Sequence, residues 1–196
     1  MSSPIMPQTQ TCLPPQPGGV PCCKQWIADP GFENAMCNNW KFPATPGTIL
    51  RAKRVNRVTA CGSASNQVQF DYSGSAGEKI YQDITFTEPL PFSSASVSYG
   101  TLSVELDIQD TAPDTFNQLQ VRIYDPDTLA LLQEFPATYA FQKDTTFCIT
   151  QVRYQLDRDY FSTQPTHKIR VEFKSRIGDT VSKWYLDNVF LSTTLR

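Results

Sequence analysis

The chain of 196 residues is long enough for one sizeable hydrophobic core with appendages and short for two full domains. Hydrophobic residues make up 40% of it, aromatic residues 12% and charged residues 18%, with a formal net charge of -2. That balance excludes a global positive field that would gather nucleic acid or an anionic membrane surface, and no apolar run approaches the roughly 20 residues that span a bilayer.

Residues 1–23 contain six prolines (Pro4, Pro7, Pro14, Pro15, Pro17, Pro21) and no charged side chain. Such a segment favours extended, polyproline-like backbone and cannot build a core by itself. The expectation is an extended arm over 1–23, able to dock on neighbouring subunits, followed by one domain over 24–196. The arm lacks the basic start and apolar run of a signal peptide. The six cysteines are Cys12, Cys22, Cys23, Cys37, Cys61 and Cys148. Their spacing does not make the paired knuckles of a zinc site. An even count suits disulfides, which persist outside the reducing cytosol. Five of the six precede residue 62, so the bridges are expected to tie the arm to the domain, with their connectivity left open. Together these features point to a secreted protein or one carried on a virion surface.

Next comes "DPGFENAMCNNW" (29–40), which gathers Gly31, Phe32, Glu33 and Trp40 in one short run. The basic stretch "RAKRVNRV" (Arg51, Lys53, Arg54, Arg57) reads as a solvated loop or an edge strand. From about residue 66 a period of two dominates. Val68, Phe70 and Tyr72 share one face, then Ile80, Ile84 and Phe86, and then Leu102, Val104, Leu106 and Ile108. "DPDT" (125–128) is a tight turn after a strand carrying Leu119, Val121 and Ile123, and "TLALLQEF" continues as a strand. Val152, Tyr154 and Leu156 follow, then Ile169, Val171 and Phe173, and "KWYLDNVFL" closes the chain. Alternation of this kind marks half-buried antiparallel strands. About eight of them, with no convincing amphipathic helix, indicate an all-β, two-sheet antiparallel sandwich.

The two ends carry a resemblance. "PGFEN" with Trp40 near the start, "YLDNVFL" at the finish and "KIYQDITF" between them resemble the jelly-roll sandwiches of the galactose-binding-like superfamily, in particular carbohydrate-binding modules. Asp29 and Asn188 depart from that pattern, where Asn and a second Asp are usual. The resemblance implies that the first and last strands lie side by side, with Phe32 and Trp40 plugging the core. It also implies a structural calcium held by Glu33 and Asp187, since a carboxylate set beside two aromatics needs a partner or a cation.

A catalytic reading finds little. The single histidine, His167, opens the strand "HKIRVEF", and no nucleophile elbow, zinc-binding helix or phosphate loop occurs. Asp125/Asp127 and Asp157/Asp159 are local pairs of the kind found in turns, unlike the facing carboxylates of a glycosidase. The expectation is therefore a non-enzymatic module. Glycan recognition needs aromatic faces and a few polar groups. Tyr81, out of phase with Ile80 and Ile84, Tyr160, and the outward Arg122 and Arg153 are the candidate ligand-binding residues. The alternative is a structural virion accessory or decoration protein that uses the sandwich and the arm for assembly.

Overall fold

Alternating apolar and polar residues build two sheets whose apolar faces meet. A computed structural model gives the structure and describes residues 24–34, 39–43, 52–58, 64–70, 78–85, 99–109, 118–135, 138–139, 150–156, 168–176 and 183–194. All six cysteines, Tyr160, His167, the Asp157/Asp159 pair and the arm over 1–23 lie outside the described residues.

The strands are β1 (Lys24–Gln25), β2 (Lys53–Val58), β3 (Ala64–Phe70), β4 (Lys79–Thr85), β5 (Tyr99–Gln109), β6 (Gln118–Tyr124), β7 (Leu131–Glu134), β8 (Thr138–Tyr139), β9 (Thr150–Gln155), β10 (Lys168–Arg176) and β11 (Lys183–Thr194). One sheet runs β2-β3-β11-β5-β9 with β1 also on β11, and the other runs β4-β10-β6-β7 with β8 also on β6. The pairing is antiparallel. Ile80, Ile84, Leu119, Val121, Ile123, Ile169, Val171 and Phe173 of the second sheet face Val68, Phe70, Leu102, Val104, Leu106, Trp184 and Leu186 of the first in one buried cluster. Among the described residues no helix is long and apolar enough to cross a membrane.

The first and last strands do lie side by side: Lys24 pairs with Thr193 and Gln25 with Ser192. The basic stretch supplies β2, an edge strand, so there are more strands than the alternation from residue 66 onward reveals. In β11 the buried positions change parity, from Trp184 and Leu186 to Val189 and Leu191. A bulge between Asp187 and Phe190 causes the change. Asn188 takes φ 44° there, in the left-handed region that Asn tolerates better than most residues. The bulge leaves the Val189 N–H free of the ladder, and it donates to the Pro30 carbonyl at 2.9 Å. The opening stretch thus docks onto the irregular turn of the last strand.

Phe32 and Trp40 are each 2% exposed, with ring centroids 5.2 Å apart. The Trp40 Nε1–H donates to the Asp29 carbonyl at 3.0 Å, so the polar corner of the indole is satisfied inside the core. Gln82 is core-facing between Ile80 and Ile84 and 4% exposed. Its Nε2 donates to the Ala28 carbonyl and its Oε1 accepts the Ala28 N–H, both at 2.8 Å. The amide imitates a strand partner and fastens the opening stretch to the second sheet from within. On the strand edge above it, Lys41 and Tyr81 exchange both backbone hydrogen bonds.

Candidate functional site

The outer face of the second sheet is a lattice set by register. Tyr81 on β4 lies opposite Glu172 on β10, which lies opposite Arg122 on β6, which lies opposite Glu134 on β7. The next row is Asp83, Arg170, Tyr124 and Leu131. Paired residues on neighbouring strands project to the same side. Tyr81 and Arg122, named separately from the sequence, therefore stand on one surface with Glu172 between them.

The groups in these rows hold one another. Arg170 grips Asp83 with two hydrogen bonds, Nε to Oδ1 at 2.6 Å and Nη2 to Oδ2 at 3.0 Å. Its guanidinium also lies over the Tyr81 ring, 4.0 Å from the centroid. The hydrogen bond to Asp83 holds the Arg170 pKa above its ordinary value against the opposing effect of burial. Arg122 reaches Glu134 through Nε at 3.2 Å and the Tyr124 hydroxyl through Nη1 at 3.5 Å. Burial disfavours its charge, and hydrogen bonds to Tyr124 and Glu134 outweigh that and raise its pKa. Glu172 is 5% exposed although it points away from the core, and Lys79 Nζ lies 3.3 Å from its Oε2. The result is two partly exposed tyrosines, Tyr81 and Tyr124, held in a frame of oriented charges. They sit two strand spacings apart and two residues offset, so about 12 Å from one another.

The remaining candidates fall elsewhere. Arg153 is exposed on β9 opposite Ser103, on the outer face of the other sheet, so the two arginines are not brought together. Among the aromatics, Trp184 and Tyr154 are core, and Tyr185 lies beneath Arg57, whose guanidinium is 3.9 Å from its ring centroid. Asp125 is a turn residue: its Oδ1 accepts the N–H groups of Asp127 at 2.8 Å and Thr128 at 3.3 Å. Sequence alternation alone missed Arg170, Glu172 and Tyr124 as a unit with Tyr81, because register across three strands is needed to align them.

The calcium candidates differ in burial. Glu33 was expected to be buried beside Phe32 and Trp40 but is exposed, because Phe32 takes φ 55° and turns the next side chain outward. Its Oε2 accepts from Asn66 Nδ2 at 2.6 Å, and its carbonyl accepts from Arg54 Nη2 at 2.9 Å. Asp187 is the buried carboxylate, 3% exposed. Its Oδ1 accepts the Asn188 N–H at 2.7 Å and its Oδ2 accepts from Gln67 Nε2 at 3.5 Å. Asn66 and Gln67 are adjacent on β3 and so face opposite sides of the sheet. A Cβ placed on Gly31 would lie 3.6 Å from Asn188 Oδ1 and 3.7 Å from Glu33 Oε1. Two hard oxygens therefore flank a small space beside Gly31, which is chemistry a calcium ion accepts, while Asp187 fixes Asn188 from behind.

Solved structures with this architecture supply the comparison. TmCBM61, a carbohydrate-binding module solved with β-1,4-galactotriose, superposes with a TM-score of 0.53 at 12% identity, over 86% of this chain and 97% of its own. Carbohydrate-binding modules from the β-sandwich superfamily superpose with a TM-score of 0.52 at 16% identity, over 83% of this chain and 60% of theirs. The chain has the β-sandwich fold of carbohydrate-binding modules. A Stig cyclase from Fischerella sp. TAU, solved with an indole ligand, has the same fold, with a TM-score of 0.56 at 12% identity over 88% of this chain and 98% of its own. The module fold thus serves catalysis as well as binding, and the face that carries a ligand has to be argued from its own residues. No family model and no curated protein sequence matches the chain.

Proposed function

We propose that the protein is a non-catalytic carbohydrate-binding module whose ligand lies on the outer face of the second sheet. The observation that carries this reading is the set of Tyr81, Arg122, Arg170 and Tyr124, partly exposed and already fixed in orientation around the buried Glu172. Oriented aromatic rings and charged hydrogen-bonding groups on a rigid sheet suit sugar rings and hydroxyls, and pre-formed groups lose little freedom on binding. The known glycan ligand of a module with the same fold supports the class of ligand. The setting that suits such a module is extracellular or on a virion surface, with the arm over 1–23 contacting neighbouring subunits.

A structural Ca²⁺ belongs to the same proposal. It would sit beside Gly31, with Glu33 and Asn188 as oxygen donors and Asp187 holding Asn188 in place, and it would stiffen the junction of the opening stretch with β11.

The test is a glycan array with the wild-type chain and with Tyr81→Ala and Arg122→Ala, each run with and without EDTA. The reading expects binding to at least one glycan class and its loss in both variants. Wild-type silence on every glycan overturns it and leaves the structural reading, a virion accessory or decoration protein. Undiminished binding by both variants overturns the placement on this face.

A further inference from the structure

We infer that the glycan accepted on the second sheet is acidic, a polysaccharide bearing uronate carboxylates, with Lys79 and Lys174 as the groups that recognise the charge. This inference rests on the reading proposed above. Lys174 on β10 lies directly opposite Lys79 on β4, and Gln120 on β6 lies directly opposite Lys174. Like charges facing one another across a strand pair destabilise a sheet. Here only Glu172 relieves them, with Lys79 Nζ 3.3 Å from its Oε2.

The rest of the face confirms the imbalance. Arg170 is matched by Asp83, Arg122 by Glu134 and Lys168 by Asp127. Among the described residues no ion pair is left for Lys174. Among the described residues Lys174 is therefore a cation without an ion pair, on the outer surface that also presents Tyr81 and Tyr124. The row of Lys79, Lys174 and Gln120 borders the row of Tyr81, Glu172 and Arg122. A sugar ring against Tyr81 would set a ring carboxylate over the two ammonium groups, with the Gln120 amide beside them. Charge complementarity of this kind selects among ligands of similar shape.

The test uses matched ligands and the full chain. Isothermal calorimetry would compare an oligogalacturonate, its fully methyl-esterified form of equal length, a neutral galacto-oligosaccharide, and polyglutamate as a carboxylate polymer without sugar. The inference expects the acid to bind about tenfold tighter than its ester, about 1.4 kcal/mol. That advantage should shrink as salt rises, disappear in Lys174→Gln and reverse in Lys174→Glu. Equal binding of acid and ester, or an advantage that survives Lys174→Glu, overturns the inference and leaves the glycan reading standing. Polyglutamate binding as tightly as the uronate also overturns it, since charge alone would then be read. Failure of the acid, the ester and the neutral sugar alike overturns the inference, and the glycan array then decides the glycan reading by itself.

Discussion

Replacing Gln82 by leucine removes the clamp between the opening stretch and the second sheet. Gln82 is 4% exposed and makes two hydrogen bonds of 2.8 Å to the Ala28 peptide group. Each such bond contributes about 1 kcal/mol net, and because Ala28 is exposed its freed N–H and carbonyl turn to water without a further desolvation penalty. The apolar side chain returns about 1 kcal/mol through burial in the same space. The net expectation is a loss of about 1 kcal/mol, which for a chain of this size lowers Tm by about 2–4 °C. Thermal melting followed by circular dichroism, with urea unfolding alongside, measures it. Gln82→Glu separates chemistry from shape. It keeps the acceptor for the Ala28 N–H but sets a carboxylate oxygen against the Ala28 carbonyl. It should therefore cost more than leucine at neutral pH and recover in acid, where the buried carboxyl takes up a proton and donates again. A Tm for Gln82→Leu within about 1 °C of wild type would refute the clamp.

Three further outcomes follow from the geometry. Adding Ca²⁺ should raise Tm and EDTA should lower it, and Glu33→Gln should abolish the difference; melting indifferent to both would remove the ion from beside Gly31. Leu129 takes φ 59° and is 60% exposed at the turn after β6. A left-handed L-residue costs about 1–2 kcal/mol and glycine returns part of that through its flexible unfolded state, so Leu129→Gly should stabilise by about 0.5–1 kcal/mol in urea unfolding. An unchanged or lower urea midpoint would refute that strain. The backbone N–H of Asp127, and then Thr128, hold the Asp125 carboxyl below its ordinary value of 3.8. A depressed pKa contributes stability that is complete above the ordinary value and is lost as pH falls below it. The hairpin should therefore be insensitive to pH between about 5 and 8 and loosen only in stronger acid, as an NMR titration of the Asp127 and Thr128 amides would record.

How much of this was legible in the sequence differs by element. Strands β6 and β10 announced themselves, because Leu119/Val121/Ile123 and Ile169/Val171/Phe173 alternate without interruption, and β4 did so through Ile80 and Ile84 on either side of Gln82; all of these apolar residues are buried. Strand β11 could not be read that way. Its inward set shifts from even to odd numbers at Asn188, and a positive φ leaves no mark in an apolar pattern. Strand β2 was legible only as a solvated loop or an edge strand, because a strand of Lys53, Arg54 and Arg57 buries too little to separate the two. The binding candidates divide similarly. The outward parity of Tyr81 and Arg122 is visible in the sequence, but their adjacency depends on β10 lying between β4 and β6, a topology that local pattern does not encode. The expectation for Glu33 failed because it took a buried neighbour, Phe32, as evidence of burial for the residue beside it. The left-handed turn at Phe32 reverses that inference.

The two outer faces of the sandwich are not equivalent, and the difference is what the proposed placement of a ligand rests on. On the first sheet the outward row around β11 is closed over: Gln67 is 1% exposed, Asp187 3% and Tyr185 6%, and Arg57 lies across Tyr185. Polar side chains there spend their hydrogen bonds on one another, as Gln67 does on Asp187. A sugar would have to displace those partners before gaining any of its own, and the desolvated groups left behind would cost about as much as the new bonds return. Among the described residues on the outer face of the second sheet only Glu172 is comparably buried, and it serves to anchor Lys79. Tyr81, Arg122, Tyr124 and Arg170 keep part of their surface open. Ion pairs along the strands hold them in place, so the entropy of fixing long side chains is largely spent on folding and not on binding. Rigidity without closure is the property a recognition surface requires, and within the described residues it belongs to this face.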